Sequence, residues 1–264
     1  MSMGGELKLN PKRRRSASQL KMFRTCEERY RLIKFERVPQ QESAASVQGS
    51  AVHHAAEQWE LSGRTINIGD TFDVEFDRLL ATTAERSPTS EWRVWGKGSD
   101  VQKDIETRRT LGRGQAETLA ITFQTKKIAE LPDGTPAVEV RFELDLGPCI
   151  VVGSIDRIDD HDGTMVVEDI KTGVREASPI QVGIYALAAR EILGYDVWQG
   201  DFYYAKDGTY SPSYDLSRFT RAYLEDQFSI MEKKIEQRLL TPSPGGECFT
   251  CPVRTNCKEI GWKK

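Results

Sequence analysis

Two aspartates and a lysine near the middle of the chain have the types and spacing for metal-assisted chemistry. Asp156 lies near the end of one Val/Ile-rich segment, and Asp169 and Lys171 lie two residues apart in the next. Mg²⁺ and Mn²⁺ prefer oxygen ligands and keep several waters, so two carboxylates and the backbone carbonyl of Ile170 would hold one ion. Such an ion lowers the pKa of a bound water and neutralises charge that grows on a phosphate, and the lysine would orient that water.

A β-hairpin is the element that would position these side chains. The segments at 149–158 and 164–171 are predicted to be its strands, and turn-forming residues at 159–163 join them. Because side chains alternate along a strand, Asp169 and Lys171 are expected on one face. Charged groups in such an apolar hairpin are costly to bury without a partner, and a divalent metal would be that partner.

The other acidic residues of the hairpin are not expected to bind the ion. Glu168 alternates to the face opposite Asp169, and Asp159, Asp160 and Asp162 are interpreted as turn residues. Taken alone, a D-x-K hairpin is more often a surface hairpin with an ordinary ion pair than a metal site. Motifs elsewhere in the chain favour the metal site over the surface hairpin.

The rest of the chain predicts a mixed α/β or α+β core. Residues 1–15 are expected to form a mobile basic leader. Hydrophobic periodicity and capping residues predict helices at 16–33, 47–61, 70–86, 100–130, 178–193 and 217–239, and strands at 137–146, 149–158, 164–171, 197–206 and 209–215.

Composition narrows the class of protein. The net charge of the 264 residues is −3, which gives no global signature of nucleic-acid binding, and the basic clusters are local. No apolar run approaches the roughly 20 residues of a membrane span, and the N-terminus lacks the apolar segment of a signal peptide. A cytoplasmic, reducing location is therefore expected, in which disulfides are disfavoured.

Four motifs in order along the chain resemble the RecB-type branch of the PD-(D/E)xK nuclease superfamily. They are Gly-Ser-Ala-Val-His at 49–53, Gly-Ser-Ile-Asp at 153–156, Glu-Asp-Ile-Lys at 168–171 and Gln-Val-Gly-Ile-Tyr at 181–185. The resemblance extends from about residue 16 to 257. It implies a restriction-endonuclease-like core, in which a mixed central sheet is flanked by helices, as one nuclease domain over 16–264 with a helical insertion at about 63–132.

The resemblance also assigns roles to individual residues. His53, Asp156, Asp169 and the carbonyl of Ile170 correspond to metal ligands, and Lys171 to the catalytic lysine. The family's proline before the first acid is replaced here by isoleucine.

Further positions extend this assignment. Gln181 and Tyr185 correspond to helical residues that face the DNA backbone and the site, and their i, i+4 spacing places them on one helix face. Tyr185 is equally compatible with a core position. Glu139 resembles an acid often found on the strand before the hairpin. His54 adjoins His53, so only one of the two can face the site.

Four cysteines form a second candidate metal site. Three of them lie close together in the C-terminal tail and one lies far upstream, namely Cys248, Cys251, Cys257 and Cys26. Closely spaced thiols in a reducing compartment favour a metal over disulfides. The resemblance implies a 4Fe–4S cluster that ties the N-terminal helix to residues 240–264, and a structural Zn²⁺ on the same cysteines is the alternative. Cys149 is expected to be a buried small hydrophobe.

These observations predict a Mg²⁺- or Mn²⁺-dependent DNA exonuclease that acts on single-stranded ends, gives 5′-phosphate products and serves DNA replication, recombination, repair or phage DNA processing. Trp92 and Trp95 could stack on bases, although burial is the more common role. No P-loop motif is present, so a separate helicase would supply any unwinding. The alternatives are a non-catalytic DNA-binding or assembly subunit and a CRISPR-adaptation nuclease.

Overall fold

The fold is mixed α/β, and the computed structural model describes residues 12–94, 100–173, 175 and 178–257. The helices are α1 (Ala17–Thr25), α2 (Glu27–Lys34), α3 (Ala44–Leu61), α4 (Ile68–Arg86), α5 (Val101–Phe123), α6 (Ile180–Ala188) and α7 (Arg221–Glu236). The strands are β1 (Arg13–Arg15), β2 (Val138–Asp145), β3 (Cys149–His161), β4 (Thr164–Lys171), β5 (Val197–Tyr204), β6 (Thr209–Tyr210) and β7 (Tyr214–Asp215).

The seven strands form one mixed sheet around the long strand β3. Strand β3 pairs with β2 and β4 in antiparallel fashion and with β1 in parallel, and β4 pairs with β5 in parallel. Ile150 and Val151 pair with both β1 and β2, so these two strands lie along opposite edges of β3. The β3–β4 ladder ends at the pair Arg157–Glu168. Beyond that pair the two strands separate, and the space between them belongs to the site described below.

Two hydrophobic cores hold the helices against this sheet. In the first, side chains of α1, α6 and α7, such as Leu20, Ile184 and Phe228, pack with apolar residues of β2, β3 and β4. In the second, α3, α4 and α5 pack on one another and on Ile170 and Tyr203 of the sheet. A mixed sheet flanked by helices is the architecture that the sequence predicted. Within the described ranges, no helix combines the length and apolarity needed to cross a membrane.

Several element boundaries differ from the sequence predictions. Residues 13–15 are not part of a leader but form β1, because Arg13 and Arg15 pair with the buried carboxylate of Glu232 on α7. The predicted helix 16–33 is two helices, since Cys26 takes an extended conformation between α1 and α2. The predicted helix 100–130 ends at Phe123, and the chain then runs extended beside β3, where the Ala129 amide donates to Ile158.

The turn of the hairpin is shorter than the sequence suggested. Strand β3 continues to His161, and only Asp162 and Gly163 turn the chain, with φ values of 53° and 94°. A two-residue turn with two positive φ angles is the common connection of a tight hairpin. Asp159 is therefore a fully buried strand residue and not a turn residue.

Candidate active site

Three potential metal ligands converge where β3 and β4 separate. The Nδ1 atom of His53 on α3 lies 3.2 Å from Glu139 Oε1 and 3.5 Å from Asp156 Oδ2. Ligand atoms of these three residues all lie within 4.8 Å of one another. Carboxylate oxygens and an imidazole nitrogen at this spacing suit a divalent cation. Among the described residues Asp169 does not join this close group, although its charge acts on Asp156 and His53.

The Asp156 carboxylate is held in place by the backbone of the opposite strand. Its Oδ2 atom accepts a hydrogen bond from the Ile170 amide at 2.8 Å. That amide lies beyond the last β3–β4 ladder pair, so the carboxylate takes the place of a strand partner. Asp156 is only 6% exposed, and this bond fixes its orientation at the site.

Glu139 reaches the site from a strained backbone position. On β2 its neighbours Val138 and Val140 pair with Arg157 and Ile155, which places Glu139 opposite Asp156. Glu139 has a φ of 47°, a left-handed conformation that non-glycine residues rarely adopt within a strand. The sequence raised Glu139 only as a possible site residue. No local signal in the sequence reports this backbone conformation.

Asp169 and Lys171 lie together on the second strand. The Lys171 Nζ atom is 2.5 Å from Asp169 Oδ2 and donates to Gln181 Oε1 at 2.9 Å. Asp169 is 1% exposed, and Lys171 is partly buried. Two acceptors thus hold the ammonium group, which restricts the conformations of its flexible side chain.

Helix α6 links this lysine to the metal-ligand group. Gln181 Nε2 donates to the Tyr185 hydroxyl at 2.8 Å, and that hydroxyl donates to Asp156 Oδ1 at 3.5 Å. The i, i+4 spacing therefore places both side chains on the face that meets the hairpin. Tyr185 belongs to the hydrophobic core through its ring and to the site through its hydroxyl. The core position that the sequence left open is confirmed, and a role of Tyr185 towards DNA stays a prediction.

Close helix–hairpin packing brings His53 to the hairpin. A Cβ atom at Gly49 on α3 would lie 3.0 Å from Thr172 Oγ1, so glycine allows the helix to approach the end of β4 closely. One helical turn later, His53 lines an open cavity of about 730 Å³ together with Glu139, Asp156 and Tyr185. The Gly-x-x-x-His spacing thus has a packing explanation, and the site is open to solvent and to a substrate.

The electric field of the site favours positive charge. Burial, followed by the charge of Asp169, raises the pKa of Asp156 to about 7, although His53 opposes the shift. Burial disfavours the protonated His53, but Asp156 and Glu139 outweigh it and raise the pKa of His53 to about 9. Burial, with the charge of Asp156, also raises the pKa of Tyr185 well above its usual range. Asp156 and His53 therefore bind protons more tightly than usual, and a metal ion at this site would displace those protons.

A second charged cluster lies on the opposite side of the hairpin. Arg157 is almost fully buried and pairs with Asp159 and with Glu60 on α3. Glu168 is also buried and pairs with Lys126 at 2.6 Å. The sequence correctly separated Glu168 from Asp169 but missed this network. The alternation of Arg157 and Asp159 along β3 was the available signal.

The four cysteines of the proposed second metal site do not form a ready tetrahedral site. Within the described part of the chain, no three ligand atoms that include a cysteine sulfur lie within 4.8 Å of one another. With Zn–S distances of about 2.3 Å, a tetrahedral zinc needs sulfurs about 3.8 Å apart. Cys251 and Cys257 nevertheless pack against the cluster of Leu32, Ile33 and Val253, and Cys26 caps the helix α2 that carries Leu32 and Ile33.

The structure bears on two further predictions from the sequence, the burial of Cys149 and the role of the two tryptophans. Cys149 is fully buried, as expected, and burial raises the pKa of its thiol to about 12. Trp92 is 5% exposed and its indole donates to the Ser87 carbonyl at 2.8 Å, so it is not available to stack on a base. Trp95 lies outside the described residues.

Comparison with known proteins assigns the class. The sequence model of the PD-(D/E)XK nuclease superfamily matches residues 14–258, so the chain belongs to this superfamily of metal-dependent nucleases. The chain is 32% identical over 257 residues to the Gene 69 protein of Mycobacterium phage D29, and the alignment covers 92% of this chain and 96% of that protein. It is 29% identical over 280 residues to the Gene 69 protein of Mycobacterium phage L5, with coverage of 92% and 95%.

Among solved structures, the crystal structure of SSO0001 covers 95% of this chain and 88% of its own, with 13% sequence identity and a TM-score of 0.37. These values are too low to carry an argument. Superfamily membership therefore rests on the sequence match, and it agrees with the mixed sheet flanked by helices.

Proposed function

We propose that the protein is a Mg²⁺- or Mn²⁺-dependent DNA exonuclease of the RecB-type branch, which hydrolyses phosphodiester bonds at single-stranded ends. The observation that carries the proposal is the convergence of His53, Glu139 and Asp156 beside the Asp169–Lys171 pair. Oxygen and imidazole ligands around an open cavity suit a hard divalent cation that keeps exchangeable waters. Both relatives are phage proteins, and the proposal includes a role in the replication, recombination, repair or processing of phage DNA.

The site residues would bind the metal ion and orient the attacking water. His53, Asp156, Asp169 and the Ile170 carbonyl would hold the metal, with Glu139 as an additional ligand. When bound, the metal would lower the pKa of water and offset negative charge on the scissile phosphate. Lys171 would orient the attacking water. Departure of the 3′ oxygen leaves a 5′-phosphate on the product.

The test is the incubation of end-labelled single-stranded DNA with Mn²⁺ and separation of the products by size. We expect degradation by the wild type and none by Lys171→Ala. Lys233→Ala, which removes an exposed lysine from α7, is the matched control and should act as the wild type does. Equal degradation by Lys171→Ala and the wild type would refute the active-site assignment. DNA binding without cleavage in any divalent metal would favour a non-catalytic DNA-binding subunit.

We further propose a 4Fe–4S cluster on Cys26, Cys248, Cys251 and Cys257, on the ground that the cysteine pattern resembles that of the iron–sulfur branch, with a structural Zn²⁺ as the alternative. Supporting contacts tie the two ends of the chain together. Glu27, next to Cys26, pairs with Lys234 and accepts from the backbone and hydroxyl of Thr241, which precede the cysteine tail.

The absorption spectrum of anaerobically purified protein distinguishes the two metals. A broad visible band with bound iron is expected for the cluster. A colourless protein that contains zinc would refute the cluster and leave the hairpin chemistry unaffected.

We place the activity in the cytoplasm of a bacterium or phage-infected host, where a separate helicase would supply unwound ends.

A further inference from the structure

A second, smaller cavity adjoins the candidate active site. It has a volume of about 340 Å³ and is lined by Arg29 of α2, Arg93, the first turn of α3 and Pro252 of the C-terminal segment. Ser46 of α3 lines both this cavity and the larger cavity that holds His53 and Asp156. A strand bound at the metal site could therefore extend directly into the smaller cavity. We call the smaller cavity the arginine pocket.

Arg29 has a hydrogen-bond donor without an acceptor in this pocket. Its Nε atom is buried and has no hydrogen-bond partner, and its guanidinium forms no ion pair with the residues that the structure describes. Most other partly buried arginines here do have carboxylate partners, for example Arg31 with Glu28 and Arg64 with Glu60. A buried N–H group without an acceptor is unfavourable, and an anionic ligand would supply the missing acceptor.

The remaining lining favours an anion. Arg93 adds a second positive charge, and its backbone amide donates to the Glu42 carbonyl at 2.8 Å, which fixes its position. Among the residues that the structure describes, Glu42 is the single acid in the lining, against the two arginines. Ser43 and Ser46 add hydroxyl groups at the first turn of α3. Planar guanidinium groups with neighbouring hydroxyls are typical of phosphate recognition.

We propose that the arginine pocket binds a phosphate of the DNA strand next to the scissile phosphate. The proposal rests on the proposed nuclease function, because the metal site defines which phosphate is cut. One wall of the pocket belongs to the cysteine-bearing parts of the chain. Pro252 follows Cys251, and the Arg29 amide donates to the Cys26 sulfur at 3.5 Å. The conformation of the two cysteine-bearing segments therefore affects the shape of the arginine pocket.

The test is the binding of a fluorescent single-stranded 20-nucleotide DNA by Arg29→Ala, measured by anisotropy in EDTA and again in Ca²⁺ at several salt concentrations. We expect an affinity loss of roughly tenfold, as for one charge-assisted contact. The slope of log affinity against log salt should fall by about 0.7, which corresponds to one phosphate contact on a single strand. Arg29→Lys, which keeps the charge, should recover part of the affinity.

Arg24→Ala is the matched control, because Arg24 is an exposed arginine on the neighbouring helix α1 that does not line the pocket. It should match the wild type in affinity and salt slope. Thermal unfolding of each variant identifies any loss of affinity that comes from misfolding. If the wild type binds and cleaves DNA while Arg29→Ala binds equally well, the phosphate subsite is refuted and the nuclease function stands. If the wild type neither binds nor cleaves, the nuclease function itself is refuted.

Three substrates identify which phosphate occupies the pocket. They are linear DNA with a 5′-phosphate, linear DNA with a 5′-hydroxyl, and circular single-stranded DNA. A loss confined to the 5′-phosphorylated strand assigns a terminal phosphate, and an equal loss on all three assigns an internal one. Both results support a phosphate subsite, and no loss on any of the three refutes it.

Discussion

Asp156 accepts a hydrogen bond from the backbone amide of Ile170 at 2.8 Å, at the point where the two strands of the hairpin stop pairing with each other. One carboxylate thus closes the gap in the sheet and faces His53. The adjacent Ile170 carbonyl and the Asp169 side chain belong to the same short stretch of β4. The geometry of the candidate metal site is in this way set by the end of a β-ladder.

Replacement of Asp156 by asparagine should separate activity from folding. Asparagine keeps the shape of the side chain and the oxygen that accepts from the Ile170 amide. It removes a buried carboxyl group, whose pKa burial raises to about 7. We expect at least a hundredfold loss of DNA cleavage. The metal-free protein should be as stable as the wild type or more so, as measured by thermal unfolding in EDTA.

Asp160→Asn is the matched control, since Asp160 lies on the same hairpin but pairs with the exposed Lys127. It should retain activity. Full activity of Asp156→Asn would remove this carboxylate from the metal site.

Metal affinity should rise with pH. The ion competes with protons for Asp156, with a pKa of about 7, and for His53, with a pKa of about 9. Both groups hold their protons more tightly than usual, so Mn²⁺ binding is weakest at pH 6 and strengthens towards pH 9. Calorimetry in buffers of different ionisation enthalpy should detect net proton release, and His53→Gln should release fewer protons. An affinity that is constant from pH 6 to pH 9 would contradict this ligand set.

Gln181 should act by positioning Lys171. It accepts from Lys171 Nζ at 2.9 Å and donates to the Tyr185 hydroxyl at 2.8 Å, so its amide orientation depends on both groups. We expect Gln181→Ala to lower kcat by about tenfold with little change in KM and to alter the pH–rate profile. A smaller loss is expected for Tyr185→Phe, which keeps the buried ring. If Gln181→Ala raised KM alone, the residue would contact the substrate and not position the lysine.

The buried cluster on the other side of the hairpin should make stability depend on pH. Asp201 of β5 pairs with Glu168 of this cluster, and burial raises the pKa of Asp201 from 3.8 to about 6, against the opposing charge of Lys126. A raised carboxyl pKa contributes stability that is complete below about pH 4 and is lost as the pH rises through about 6. Asp201→Asn should therefore stabilise the protein at pH 7.5, on the order of 1–3 kcal/mol, and have little effect at pH 4. Urea unfolding at both pH values is the measurement, and equal effects at the two would contradict it.

The sequence could predict the parts of the site that depend on local spacing. Asp169 and Lys171 lie two apart on a strand, and Gln181 and Tyr185 lie four apart on a helix, so their shared faces follow from the period of each element. Glu139 could not be placed at the site from spacing alone, because its approach to His53 depends on a positive φ. Arg157 and Glu60 are 97 residues apart, so their pairing depends on how α3 packs and not on any local pattern.

Element boundaries failed where tertiary contacts compete with local propensity. The basic residues 13–15 have the composition of a leader, yet Glu232, more than two hundred residues later, makes them a strand. The helix predicted across Cys26 is broken where its sulfur accepts from the Arg29 amide, a capping role that the thiol's hydrophobic character concealed.

Strand β3 has neighbouring strands on both edges, so it should be among the last parts of the protein to unfold. Its amides are bonded to β2 along one side and to β1 or β4 along much of the other, so they should exchange with deuterium only when the whole domain unfolds. A ligand that binds only the folded state slows global opening in proportion to its concentration. Hydrogen exchange at β3 should therefore report metal occupancy at Asp156 even when no substrate is present.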